Sequence, residues 1–265
     1  MTFTFTASHR GGGGSPMVCL HGFTDTWRSW ELVIPALEHR HDVLAVTLPG
    51  HAGGPPLAPE LTDDTLVDQV EQLIDGAGID DAHIVGNSLG GYVALRLAAR
   101  GRVRSVVALA PAGGWDDADP WPQELLRLQL RVLEQAAAAA PHAEAIVASA
   151  EGRRRATELI TTNFEHIPPD LIAHQTVGVA RAPDAARMLQ YAHRARWALD
   201  AERIECPVRI VWGTADKLLP WPRSAVRYRT ELLPQADWIE LDGIGHCPQL
   251  DVPLETAQLI LGFTA

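Results

Sequence analysis

Apolar and polar positions alternate along this chain in two rhythms. Short runs rich in Val, Ile and Leu predict buried strands at Met17–Leu20, Asp42–Thr47, Ala82–Gly86, Val103–Leu109, Val208–Trp212 and Asp237–Leu241. Between them apolar residues recur at helical spacing. Trp27, Trp30, Ile34 and Leu37 mark a helix over Trp27–His39, and Leu66, Val70, Leu73 and Ile74 mark another over Asp63–Gly76 that stops at a glycine. A third, Gly90–Arg100, turns Val93, Ala94 and Leu97 inward. The N-terminal MTFTFT alternates Thr and Phe in the manner of a strand. Strands interleaved with helices predict an α/β fold whose mostly parallel sheet is flanked by helices.

The rhythm changes after Gly114. From Trp115 to about Asp200 no strand-like run occurs, and Ala-, Leu-, Glu- and Arg-rich stretches such as ELLRLQLRVLEQAAAAA are broken by Pro141, Pro168, Pro169 and Pro183. The strand pattern resumes at IECPVRIVWG. The expected organisation is a core in two parts, 1–114 and 201–265, with an inserted helical cap over 115–200 lying across one edge of the sheet.

Composition narrows the function. The chain has 265 residues, 46% of them hydrophobic, enough for one sizeable core with an inserted subdomain. A net charge of −11 gives a nucleic-acid partner no electrostatic support, and Arg153-Arg154-Arg155 reads as a solvated helix face. No run approaches the length of a membrane span, and the N-terminus lacks the pattern of a secretory signal, so the expected compartment is the cytoplasm. Cys19, Cys206 and Cys247 have no CxxC spacing, and the eleven histidines contain no HExxH. Reduced thiols are expected, with neither metal nor cofactor.

The chemistry concentrates in IVGNSLGGYV. Gly86-Asn87-Ser88-Leu89-Gly90 is a G-x-S-x-G preceded by a strand and followed by a helix, the context in which a serine oxygen is held out from a sharp turn. The same stretch could be an ordinary glycine-rich turn with a serine cap. What separates the two is the presence of partners: a base, an acid to orient it, and donors for an oxyanion. Asp216 in VWGTADKLLP and His246 in LDGIGHCPQL each follow a predicted strand, on the same carboxyl edge as Ser88. The chain order Ser, Asp, His is that of one particular solution to the triad problem. Backbone donors are available at Leu89, directly after the serine, and at Phe23 in the HGF that ends the strand from Met17.

HGF, LPGH, GNSLGG, WGTADKLLP and GIGHCPQLDVP stand in the order found in the α/β-hydrolase superfamily, and the resemblance, to its lid-bearing serine hydrolases of the carboxylesterase kind, spans nearly the whole chain. It implies that Ser88 is the nucleophile, His246 the general base, Asp216 its partner, and the amides of Phe23 and Leu89 the oxyanion hole. The expected reaction is hydrolysis of an apolar small-molecule ester without a cofactor. VTLPGHAGGPP departs from the family in having Thr47 before the motif and no arginine after it, which leaves the subfamily open. Epoxide hydrolases and haloalkane dehalogenases of this superfamily carry aspartate where this chain has Ser88, which argues against both chemistries. Carbon–carbon hydrolysis, lactone opening, lyase chemistry and a non-catalytic small-molecule receptor stay open on the same motifs.

Other residues have weaker readings. His21 is expected to make a structural hydrogen bond behind the oxyanion loop, and His51 to pack near a turn. Asp116, Asp117 and Asp119 follow the strand after the serine, where some relatives keep the acid; Asp216 is preferred for its WGTAD setting. Trp115, Trp121, Phe164 and Trp221 are the expected walls of an apolar pocket. Cys247 is expected to be a packed thiol.

Overall fold

The computed structural model describes residues 3–115 and 119–264. Seven strands form one sheet: β1 (Ser8–Gly12), β2 (Ser15–Leu20), β3 (His41–Val46), β4 (Ala82–Asn87), β5 (Val103–Leu109), β6 (Val208–Gly213) and β7 (Asp237–Leu241), in the spatial order β1-β3-β2-β4-β5-β6-β7. All neighbours run parallel except β1, which lies antiparallel on β3. The register aligns the strand ends: Leu20 pairs with Gly86, Asn87 with Leu109, Leu109 with Val211, and Gly213 with Leu241. Loops leaving β2, β4, β5, β6 and β7 therefore meet along one carboxyl edge, where open α/β sheets bind ligands.

Helices cover both faces. α1 (Ile34–Leu37) and α10 (Pro253–Leu261) pack on one side with the core of Met17, Trp30, Val43 and Val107. α2 (Thr65–Gly76) and α3 (Leu89–Ala98) cover the other, over Val18, Ile84, Val106 and Ile210. Between β5 and β6 come α4 (Trp121–Ala139), α5 (Ala143–Val147), α6 (Ala150–Thr157), α7 (Pro169–Arg181) and α8 (Ala185–Ala192), the helical insertion. A one-turn α9 (Pro248–Asp251) precedes α10. No described helix is long and apolar enough to cross a membrane.

Two local expectations are corrected. The helix expected over Trp27–His39 is a 3₁₀ turn at Trp27–Trp30 followed by the single turn of α1. Pro35 is tolerated only in a first helical turn, so it divides the stretch. Over its described residues, 3–6, the Thr/Phe alternation at the N-terminus does not form a strand, and β1 begins at Ser8. Phe5 instead stacks on His174 of α7 with ring centres 4.4 Å apart, while Thr6 and Ala7 bond Thr47.

Candidate active site

Ser88 occupies a turn that few residues could build. Its backbone has φ 54° and ψ −115°, a left-handed conformation costly for any residue with a Cβ. A Cβ on Gly86 would stand 2.2 Å from the Gly90 carbonyl oxygen, and one on Gly90 would stand 2.2 Å from that of Leu20. Both flanking positions must be glycine for strand and helix to approach this closely. The turn is pinned by the Ser88 amide, which donates to the Leu109 carbonyl, and by the Ser88 carbonyl, which accepts from Tyr92 and Ala112.

His246 and Asp216 come together from the loops after β7 and β6. Nδ1 of His246 lies 2.7 Å from Oδ2 of Asp216, and both side chains are buried. The other carboxylate oxygen of Asp216 accepts the amides of Leu218 at 2.8 Å and Leu219 at 2.7 Å. A carboxylate acceptor requires the proton on Nδ1, which leaves the Nε2 lone pair of His246 available as a base. Of the alternative acids, Asp116 and Asp117 lie outside the described residues. Asp119 is engaged elsewhere: it accepts the Trp121 amide and pairs with Arg223, whose hydrogen bonds hold its carboxyl below the usual range.

The loop after β2 carries Phe23 to the same edge. Among the described residues, neither the Phe23 nor the Leu89 amide has a hydrogen-bond acceptor, and both residues line the cavity that Ser88 lines. Behind this loop His21 is fully buried. Its Nδ1–H donates to the Gly22 carbonyl at 2.7 Å, and its Nε2 accepts the Leu48 amide at 2.9 Å. Burial holds it neutral, with a pKa well below that of free histidine. His51 packs edge-on against both His21 and Phe23, and burial lowers its pKa to about 4.

Two cavities meet at Ser88. The smaller, about 180 Å³, is walled by apolar side chains including Leu66, Tyr92, Trp115, Leu125, Leu189 and Trp197. The larger, about 620 Å³, runs under α4 towards α6 and α7 and includes Asp25, Gln135, Gln175 and Thr176 in its wall. Phe23, Ser88, Gln129, Leu218 and His246 border both. α4 roofs the pair: Leu125, Gln129, Val132, Ala136 and Ala139 form one helical stripe facing them. Only Ala136 of this helix is buried, because its apolar stripe faces open space rather than packed side chains.

Of the four aromatic walls expected from sequence, Trp115 lines the smaller cavity, edge-on to Trp197. The other three line neither. Trp121 donates its indole N–H to the Leu218 carbonyl, Phe164 packs beside residues such as Ile167 and Leu171 of the helical insertion, and Trp221 lies tilted between Trp212 and Trp238. Trp197 and the α8 pair Met188 and Leu189 take the places left. The apolar spacing of α8 could have flagged the pair, whereas Trp197 sits in an irregular segment with no such signal.

Two supporting side chains were also not legible in the sequence. Asn87 is buried, donating to the carbonyls of Leu109 and His246 and accepting from Cys247 and Gln249. Cys247 is thus a packed thiol, its pKa driven well up by burial. Asp251, also buried, accepts the amides of Gly245, Thr162 and Asn163, so it clasps the histidine loop to the helical insertion. No group of His, Cys, Asp and Glu among the described residues is placed to hold a metal ion.

Comparison with known proteins agrees with this architecture. A family model described as the alpha/beta hydrolase family matches residues 17–259. The chain is 32% identical over 213 residues to the epoxide hydrolase EphH of Mycobacterium tuberculosis, covering 77% of this chain and 95% of that protein. It is 28% identical over 262 residues to a pimeloyl-(acyl-carrier protein) methyl ester esterase of Aromatoleum aromaticum, covering 92% and 96% respectively. The solved meta-cleavage product hydrolase CumD of Pseudomonas fluorescens superimposes with a TM-score of 0.71 at 22% identity, over 97% of this chain and 92% of that one. The match over nearly its whole length, on a sheet of this order, makes the chain a member of the alpha/beta hydrolase family.

Proposed function

We propose that this hydrolase cleaves a carboxylic ester through an acyl-enzyme, with Ser88 as nucleophile, His246 as general base and Asp216 as its orienting acid. The observation that carries the reading is the buried His246–Asp216 pair, 2.7 Å apart, in which His246 borders the same cavities as Ser88. His246 Nε2 takes the serine proton as the oxygen attacks the substrate carbonyl. The amides of Phe23 and Leu89 stabilise the tetrahedral oxyanion, each contributing about 3–4 kcal/mol in sites of this kind. His246 then protonates the leaving alcohol and activates the water that releases the acid. Asp216 holds the imidazole tautomer and balances the charge of the imidazolium. Residues 115–200 act in this scheme as the cap over a core of 1–114 and 201–265.

The named activities of the relatives differ, and Ser88 discriminates among them. Epoxide opening by a serine would leave an alkyl ether, which has no carbonyl for water to attack. An ester, a lactone or a β-diketone offers the carbonyl that the serine route requires.

Intact-mass analysis after treatment with a fluorophosphonate tests the reading. A single adduct on the wild type and none on Ser88→Ala is the expected result, followed by turnover on an ester panel. No adduct with either a large or a small probe would overturn it and favour a non-catalytic receptor. Turnover of β-diketones but not esters would redirect it to carbon–carbon hydrolysis.

A further inference from the structure

Ser88 stands where two chambers join, one almost wholly apolar and the other apolar with added polar groups, so a substrate cleaved there would extend one arm into each. Apolar side chains dominate the wall of the smaller chamber. The wall of the larger carries Asp25, two residues past Phe23 on the oxyanion loop, facing Gln175 of α7. Asp25 Oδ1 accepts the Thr26 amide at 2.8 Å, and Oδ2 accepts the Gln175 side-chain amide at 3.0 Å. A carboxylate offers about four acceptor positions, so these two donors leave it capacity for a ligand. No arginine or lysine among the described residues pairs with it.

The charges around the chambers are unequal. Of the acidic groups that border them, Glu151 and Glu158 are paired with Arg154 and Arg155, whereas Asp25 and Asp63 have no basic partner among the described residues. The one Arg or Lys among the described lining residues is Arg155, which is spent on Glu151 at 2.6 Å. A carboxylate-bearing arm would enter against this field with no free cation to meet it.

We propose that the larger chamber receives a hydrogen-bond-donating arm of the substrate, ending in a hydroxyl or ammonium group, and that Asp25 is the specificity-determining residue that selects it. The substrate class is then an ester with one apolar arm and one donor-ended arm. This rests on the ester reading above. Its physical basis is that a half-buried carboxylate without a countercharge is costly, and desolvation raises the Asp25 carboxyl to about 6. A ligand donor would supply the partner that the protein itself withholds.

The test is a matched panel: butanoate esters of six-carbon alcohols ending in methyl, hydroxyl, ammonium or carboxylate, with the reversed set carrying the same ends on the acyl arm. In one of the two sets, kcat/KM for the donor-ended esters should exceed that of the methyl-ended ester by about tenfold or more, the carboxylate-ended ester being poorest. Asp25→Asn should lower the ammonium-to-methyl ratio by about tenfold. That ratio would not move if Asp25 served only to tie the oxyanion loop to α7. Ratios within about threefold in both wild-type sets, a preference for the carboxylate end, or an unchanged ratio in Asp25→Asn would each overturn the proposal.

The two readings fail separately. If no ester is hydrolysed and fluorophosphonate does not label Ser88, the ester reading falls. Calorimetry of the Ser88→Ala protein with hexylamine, hexanol and hexanoate then reads the chamber without turnover. Tighter binding of amine or alcohol than of hexanoate supports the assignment, and the reverse order rejects it.

Discussion

The side-chain amide of Asn87 donates to the backbone carbonyl of His246 at 3.0 Å, so the residue directly before the candidate nucleophile holds the loop of the candidate base. The same group donates to Leu109 at the end of β5, and its oxygen accepts from Cys247 and Gln249. Four partners converge on one buried amide. Asn87→Ala would leave the His246 carbonyl without its donor and Cys247 and Gln249 without their acceptor, while the Leu109 carbonyl keeps the Ser88 amide. We expect a stability loss of about 2–4 kcal/mol in urea titration, with kcat falling further than the fraction folded explains.

Asp216→Asn should be nearly silent in stability and severe in turnover. The substituted side chain can still accept the amides of Leu218 and Leu219, but it presents an N–H to Nδ1 of His246. The imidazole must then place its proton on Nε2, where it cannot accept from Ser88. A fall in kcat of about four orders of magnitude is expected from steady-state kinetics, with the thermal midpoint almost unmoved.

Asp251→Ala should loosen the histidine loop and the helical insertion together. The carboxylate is buried and accepts from Gly245, Thr162 and Asn163, so its removal strands three backbone N–H groups at once. A cost of about 3–5 kcal/mol is expected. Hydrogen exchange should quicken jointly at 160–163 and 243–247, whereas quickening of only one segment would mean that the two are not coupled through Asp251.

Asp25→Asn should stabilise the protein, in a way that depends on pH. Burial lifts the Asp25 carboxyl from 3.8 to about 6, so the folded state binds this proton more tightly than the unfolded state. Its stabilising contribution is complete below about pH 4 and is lost as pH rises through about 6, a difference of about 3 kcal/mol at most. The variant should therefore be the more stable protein at pH 8, and the advantage should vanish near pH 4. His51 and His174, each lowered to about 4 by burial, make both proteins acid-sensitive and cancel in the comparison. Equal stability of variant and wild type across this range would mean that the carboxylate is not buried at a cost.

Much of this architecture could be read from local pattern. Val103–Leu109 and Asp237–Leu241 are strands over the residues that their apolar runs mark, and helix α2 stops at the expected Gly76. The elbow at Ser88 was legible because glycine spacing encodes a steric requirement between residues four apart in sequence. The failures were also local. Trp27–Leu37 has helical spacing, yet Pro35 breaks it, and the Phe3/Phe5 alternation reflects packing on the helical insertion rather than pairing in the sheet.

The sequence by itself determined most of the elements, their order and the three candidate chemical groups, since these follow from side-chain periodicity, backbone sterics and motif spacing along one strand or turn. Only the tertiary structure decided that Nδ1 of His246 meets Asp216, that Trp197 rather than Trp121, Phe164 or Trp221 walls the smaller cavity, and that Asp25 faces a second one. Each of these depends on which faces of sequence-distant elements are turned towards one another. That is set by the summed packing of the sheet edge and the inserted helices, which no local pattern contains.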